Sequence, residues 1–216
     1  MKLSLYERQK LDIADDEIFY QQPRYVHHLS QSFRNRLTNL YSEYLFSHHV
    51  ILDLMSSWVS HLPSNIRYKK VIGHGMNEAE LSSNNRLDRY WVQNLNKSQN
   101  MPIEDSTVDV CLVVAGWQYL QYPEKVSLEI SRIIKPDSLL IISFTNRAFW
   151  SKAPYIWTYS SENERIEYVK SVLTANGWRI DNIIIEKTKA KKLFGFYSVE
   201  SDPFFSVIAR NNKSNN

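Results

Sequence analysis

Apolar residues in the first third of the chain recur at helical spacing over one stretch only. Phe33, Leu37, Leu40, Tyr41, Tyr44 and Leu45 lie three or four positions apart, which predicts a helix over 31–46. The 30 residues before it lack a period and are aromatic-rich, so they read as an irregular arm, residues 1–30. After Phe46 the pattern changes. Val50-Ile51-Leu52-Asp53-Leu54 is a short apolar run of the kind a parallel sheet buries on both faces. Similar runs follow at 70–73, 108–114 and 138–144, with a weaker one at 90–94. Between them lie helix signals. Asn77 and Glu80 are spaced as an N-cap and the acid three residues on. Pro123 can open a helix that carries Val126, Ile130, Ile133 and Ile134. Ser161–Ala175 has an apolar face and is followed by Gly177, a helix stop.

Strands alternating with helices predict an α/β fold with a mostly parallel sheet. Two further strands are expected near Trp178–Glu186 and Phe204–Ala209. No helix signal separates them, so they pair as an antiparallel hairpin at one edge. The stretch between them carries Lys187, Lys189, Lys191 and Lys192, a basic run expected in a solvated loop. Residues 211–216 read as a disordered polar tail. The expected organisation is thus an arm, one domain over 31–210 and the tail.

Composition narrows the function. The chain has 216 residues and a net charge of +3, too mild to point to nucleic acid. No apolar run reaches membrane-spanning length, and the N-terminus is too polar for a signal peptide. The single cysteine, Cys111, fits a reducing compartment, which makes the cytoplasm the expected location. Only 5 glycines are present, so a glycine-rich phosphate loop has little material. The P-loop, HExxH, CxxC and GxSxG patterns are absent. All six histidines precede residue 75, in part as the pairs His27-His28 and His48-His49. Neighbouring side chains point apart, so such pairs chelate poorly and no metal site is expected.

In open α/β sheets ligands bind beyond the C-terminal ends of the strands. The segments there are Asp53–Ser57, Gly73–Asn77, Gln93–Leu95 and Ala115–Tyr119. Met101-Pro102-Ile103-Glu104-Asp105-Ser106-Thr107-Val108-Asp109 resembles the LPFxDxSFD segment of class I S-adenosylmethionine-dependent methyltransferases. Glu129–Pro136 is similar to their ExxRVLKP helix end, and Val50–Asp53 to the strand that opens their first motif. Leu54–Pro63, Gly73–Asn77 and Ser143–Arg147 further resemble a divergent methyltransferase-type-11 subgroup. The resemblance implies a Rossmann-like seven-stranded sheet with an antiparallel last strand, and Val50–Leu54 as a central strand beside Val108–Val114. It also implies S-adenosylmethionine as cofactor and methyl transfer to a small molecule. The cofactor-binding residues it implies are Asp53, Ser56, Ser57, Gly73, Gly75, Asn77, Asn94, Leu95 and Ala115. As the arm often covers the active site in this family, the residues implied at the reacting centre are His28, Arg24 and Tyr119. They are expected near Trp117 and Asn146.

Two departures stand out. The family's G-x-G is Met55-Ser56-Ser57 here, and the acid that ends the second strand is Gly75. A left-handed non-glycine residue costs roughly 1–2 kcal/mol, and a lost charged hydrogen bond about 1.5–3 kcal/mol. Uncompensated, the two weaken cofactor binding roughly a hundredfold. Ser56, Ser57, Asn77 and Glu80 are the residues that can compensate. The alternative reading is a non-catalytic binding or interaction module on the same fold.

Overall fold

The computed structural model describes residues 3–187, 191–193, 196–198 and 201–213. Seven strands form the main sheet: β1 (Val50–Leu54), β2 (Lys70–Gly75), β3 (Arg89–Val92), β4 (Val108–Val114), β5 (Ile134–Phe144), β6 (Trp178–Glu186) and β9 (Phe204–Asn211). Their order is β3-β2-β1-β4-β5-β9-β6. Every pairing from β3 to β5 is parallel, and β9 runs antiparallel to both β5 and β6. β1 is central beside β4, with Leu52 opposite Cys111. The seven-stranded, mostly parallel Rossmann-like sheet with an antiparallel last strand is therefore present. A separate hairpin of β7 (Lys191–Leu193) and β8 (Phe196–Ser198) occupies part of the stretch expected to be only a polar loop. Lys189 of the basic run lies outside the described residues.

Successive residues of a strand face opposite ways, so each strand feeds two cores. Leu52, Leu54, Cys111 and Val113 join one layer with α4 (Pro123–Ile133), α6 (Glu162–Ala175) and Trp157 of α5 (Tyr155–Thr158). Ile51, Val110 and Leu112 join the other with Phe33, Leu37, Leu40 and Tyr41 of α2 (Gln31–Tyr44). Local chemistry sets the helix ends. Ser161 and Glu164 form a capping box, Pro123 takes the first turn of α4, and Gly177 leaves α6 at φ 84°. α2 stops at Tyr44, short of the expected residue 46.

Two further expectations are corrected, and one connection is unusual. The arm is not irregular throughout: Asp15 caps a short helix, α1 (Asp16–Tyr20). The tail does not begin at Asn211, which ends β9 and is buried; its amide donates to carbonyls of Ser131, Ile134 and Lys135. Residues 214–216 lie outside the described residues. Lastly, parallel neighbours are usually joined through a helix, but residues 55–69 connect β1 to β2 without one. β2 and β3 are joined through α3 (Glu78–Ser82), which is only one turn long.

Candidate active site

The missing helix leaves space. A cavity of about 500 Å3 opens at the C-terminal edge of β1, β2 and β4, roofed by the arm and floored by α2. That volume suits a small-molecule ligand.

Its backbone frame is unusual at the end of β1. Met55 has φ 59°, the left-handed region that glycine normally fills. Three features hold it. Its N–H donates to His74 Nδ1 at 3.2 Å, while His74 Nε2 faces the carbonyl of Gln93 at 3.0 Å and donates to it. Ser56 N–H donates to the His74 carbonyl at 2.6 Å. Gly116 supplies room, since a Cβ there would sit 2.7 Å from Met55 Cβ. Gly75 plays a similar part, because a Cβ there would meet the Ser56 carbonyl at 2.6 Å. Burial pushes the His74 imidazole down to about 4, so it stays neutral and keeps an acceptor for Met55.

Around this turn lie two carboxylates without a cationic partner among the described residues. Asp53 Oδ2 accepts from Ser56 Oγ at 2.7 Å and Ser60 Oγ at 2.5 Å. Its Oδ1 has no partner among the described residues. Burial raises the carboxyl above its ordinary range and the two hydroxyls pull it back. Glu80 of α3 accepts from the Arg24 N–H at 2.7 Å and from the Ser57 hydroxyl. Asn77 caps α3, and its amide donates to carbonyls of Tyr20 and Gln21 in the arm at 2.9 and 3.0 Å. At the end of β3, Asn94 Oδ1 accepts from Asn96 N–H at 2.9 Å, with Leu95 buried beside it. Ala115, at φ 47°, completes the rim.

The arm is fastened from both ends. Asp16 Oδ2 accepts from Lys10 at 2.7 Å and from Asn96 Nδ2 at 3.1 Å. Lys152, only 1% exposed, donates to the Ala14 carbonyl at 2.7 Å and pairs with Asp12 at 3.0 Å. Further on, the Phe149 ring lies 5.3 Å from Phe19, 5.4 Å from His28 and 6.1 Å from Tyr119. Arg24 sits over Phe19 and Phe149 at 4.4 and 5.7 Å. Phe149 N–H donates to Tyr119 Oη at 2.9 Å. Burial, with Arg24 nearby, lowers the His28 imidazole from its ordinary value.

Of the residues singled out in the sequence, Asp53, Ser56, Ser57, Gly75, Asn77, Asn94, Leu95 and Ala115 line one cavity with Arg24, His28 and Tyr119. Gly73 does not: a Cβ there would strike Leu87 at 2.3 Å, so this glycine serves strand packing. Trp117 is buried in the core, and Asn146 borders a different, shallow depression. Sequence reading missed Arg34, Tyr41 and His61 of the cavity wall, and Phe149, the ring that joins the arm to Tyr119. Arg34 and Tyr41 sit on a helix whose period speaks only of packing. The His61 and Phe149 segments carry no periodic signal.

Comparison with known proteins agrees with this geometry. Residues 56–142 match a family model described as a methyltransferase domain. A search of curated proteins finds no match. Among solved structures, a chain from the complex of the Haloferax volcanii Trm112 methyltransferase activator with a methyltransferase superposes with TM-score 0.63 at 11% identity, covering 85% of this chain and 91% of that one. The [4+2]-cyclase SpnF gives 0.60 at 12% identity, covering 89% of each chain. An S-adenosylmethionine-dependent methyltransferase from Aquifex aeolicus gives 0.56 at 20% identity, covering 82% and 88%.

The cavity's own chemistry can be set against that family's cofactor. Asp53 has a free oxygen suited to an ammonium, and Glu80 a carboxylate suited to ribose hydroxyls. Two buried polar atoms at the wall, Gln118 Oε1 and Tyr41 Oη, lack a partner among the described residues, as expected where a ligand or water completes the site. The residues therefore fit S-adenosylmethionine. The matched segment and the sheet order together show a methyltransferase-type fold, with the cavity at the strand ends.

Proposed function

We propose that the chain transfers a methyl group from S-adenosylmethionine to a small molecule held beneath the arm. The observation that carries this reading is the convergence of Asp53, Glu80, Asn94 and Leu95 on one cavity with His28 and Tyr119. In this reading residues 31–210 are the methyltransferase domain and residues 1–30 its lid.

Bound there, the cofactor supplies an electrophilic methyl carbon on a sulfonium. Asp53, with Ser56 beside it, holds the amino-acid end, Glu80 and Ser57 the ribose hydroxyls, and Asn94 and Leu95 the adenine. Phe19, Tyr20 and Phe149 keep water out. His28, neutral at pH 7, is positioned to take the proton that an acceptor hydroxyl or amine loses as it attacks. Tyr119, its phenol kept protonated by burial, orients the acceptor. Holding the partners in line supplies most of the rate, through proximity and orientation.

Two observations favour the second reading, a non-catalytic binding module. Met55 replaces the motif glycine, and no helix follows β1 to offer its N-terminal N–H groups to an anion. The cyclase among the structural neighbours is named for a reaction other than methyl transfer. Calorimetric titration with S-adenosylhomocysteine separates the readings. Saturable binding lost in Glu80→Gln supports methyl transfer, and an absence of binding supports the module.

A further inference from the structure

The cavity is electrically divided. Two carboxylates with no ion pair among the described residues, Asp53 and Glu80, lie at the end of β1 and on α3. Lys10, Lys152 and Arg147 are each matched to an aspartate. Among the described residues two cavity cations are not, Arg24 and Arg34. Arg24 is spent on the lid, its guanidinium stacked on aromatic rings and donating to the Phe19 carbonyl at 2.7 Å.

Arg34 has no such employment. It projects from α2 into the cavity wall, and its Nε is buried without a partner. Its one side-chain hydrogen bond among the described residues, from Nη2 to Gln31 Oε1 at 2.7 Å, lies on the exposed side. Thr38 binds the Arg34 carbonyl at 3.1 Å and the His61 carbonyl at 3.0 Å, which sets His61 beside it. Burial and the neighbouring Arg34 push His61 down to about 4, so it is a neutral group and not a second cation. The walls here are apolar: Leu29, Trp58 and Leu62. The His27 ring lies 4.8 Å from Trp58, tilted by 34°, and burial with Arg34 nearby lowers it too.

A half-buried guanidinium whose Nε is buried without a partner among the described residues, beside neutral histidines and apolar walls, suits a ligand with one negative charge and an apolar body. The planar fork matches a carboxylate oxygen pair. We infer that the methyl acceptor is an apolar carboxylic acid whose carboxylate is bound by Arg34, with His61 beside it. The inference rests on the methyl-transfer reading for the word acceptor, but the anion site itself does not.

The test is calorimetric titration of the full chain with benzoate, benzamide and phenyl phosphate, with and without saturating S-adenosylhomocysteine. Benzoate should bind at least roughly tenfold more tightly than benzamide or phenyl phosphate. Arg34→Gln should weaken benzoate roughly tenfold to a hundredfold while leaving S-adenosylhomocysteine binding and the melting temperature unchanged. Arg34→Lys should restore part of the loss. Equal binding of benzoate and benzamide, or none of either, overturns the inference. Tighter phenyl phosphate overturns the monoanion. An Arg34→Gln variant that loses S-adenosylhomocysteine and keeps benzoate also overturns it, by assigning Arg34 to the cofactor's carboxylate. If the wild type binds no S-adenosylhomocysteine, the methyl-transfer reading fails, and benzoate selectivity in the cofactor-free titration still decides the anion site.

Discussion

Met55 and Gly116 meet at the mouth of the cavity, where a Cβ on Gly116 would lie 2.7 Å from the Met55 Cβ. Met55 stands at φ 59°, a conformation costing a non-glycine residue roughly 1–2 kcal/mol. The glycine missing from the end of β1 is thus answered by a glycine after β4. The two positions should be coupled. Gly116→Ala is expected to destabilise the fold by about 1–3 kcal/mol through overpacking. Met55→Gly should recover most of that loss in the double variant. Denaturant titration of the four-member cycle measures the coupling, expected to be about 0.5–3 kcal/mol.

His74 is the second support of that turn, and its pH dependence has a definite sign. The folded imidazole titrates at about 4, below its ordinary value near 6.5. Between those values the unfolded chain binds more protons than the folded one. Stability is therefore complete above pH 6.5 and falls as pH drops toward 4. Protonation also removes the acceptor for Met55 N–H. Urea denaturation from pH 7.5 to 4 should show the decline, with a shallower slope in His74→Gln. His61, also near 4, contributes to the residual slope, as do the other lowered histidines.

The arm is held by a buried charge cluster. Asp16 accepts from Lys10, and Lys152 is 1% exposed between Asp12 and Asp16. Removing one partner of a buried pair typically costs about 3–5 kcal/mol. Asp16→Asn should lower stability and expose the arm to limited proteolysis before the rest of the chain. Leu3 is buried in the core, so removal of the first 29 residues also uncovers apolar surface.

His28 should leave its mark on the rate. Burial and Arg24 lower its pKa, so the base form persists through neutrality. The acid limb of the methylation rate is expected below pH 6.5 and should vanish in His28→Gln, with the rate reduced roughly a hundredfold or more. An unchanged limb in that variant would remove His28 from the chemistry.

Much of the fold was legible because parallel strands are buried on both faces and read as uninterrupted apolar runs. Val50–Leu54, Val108–Val114 and Ser138–Phe144 all fell where strands lie. The strand-end rule then gathered Asp53, Asn94 and Ala115 onto one cavity edge. It failed at Gly73, where packing against Leu87 had left the same residue type as a ligand cradle would. Arg34 and Tyr41 were illegible for a different reason. They share a helix with Leu37 and Leu40, and only the absence of a helix after β1 opens that face to the cavity. Nothing in the sequence marks the loop at 55–69 as lacking one.

The account turns on whether the strand-end cavity holds the family's cofactor despite Met55 and Gly75. Isothermal titration of the full chain with S-adenosylhomocysteine asks this directly, with Asp53→Asn and Asn94→Ala as comparisons. The prediction is one saturable site per chain, weakened roughly tenfold or more in each variant. No binding, or a dissociation constant unchanged in both variants, would contradict it.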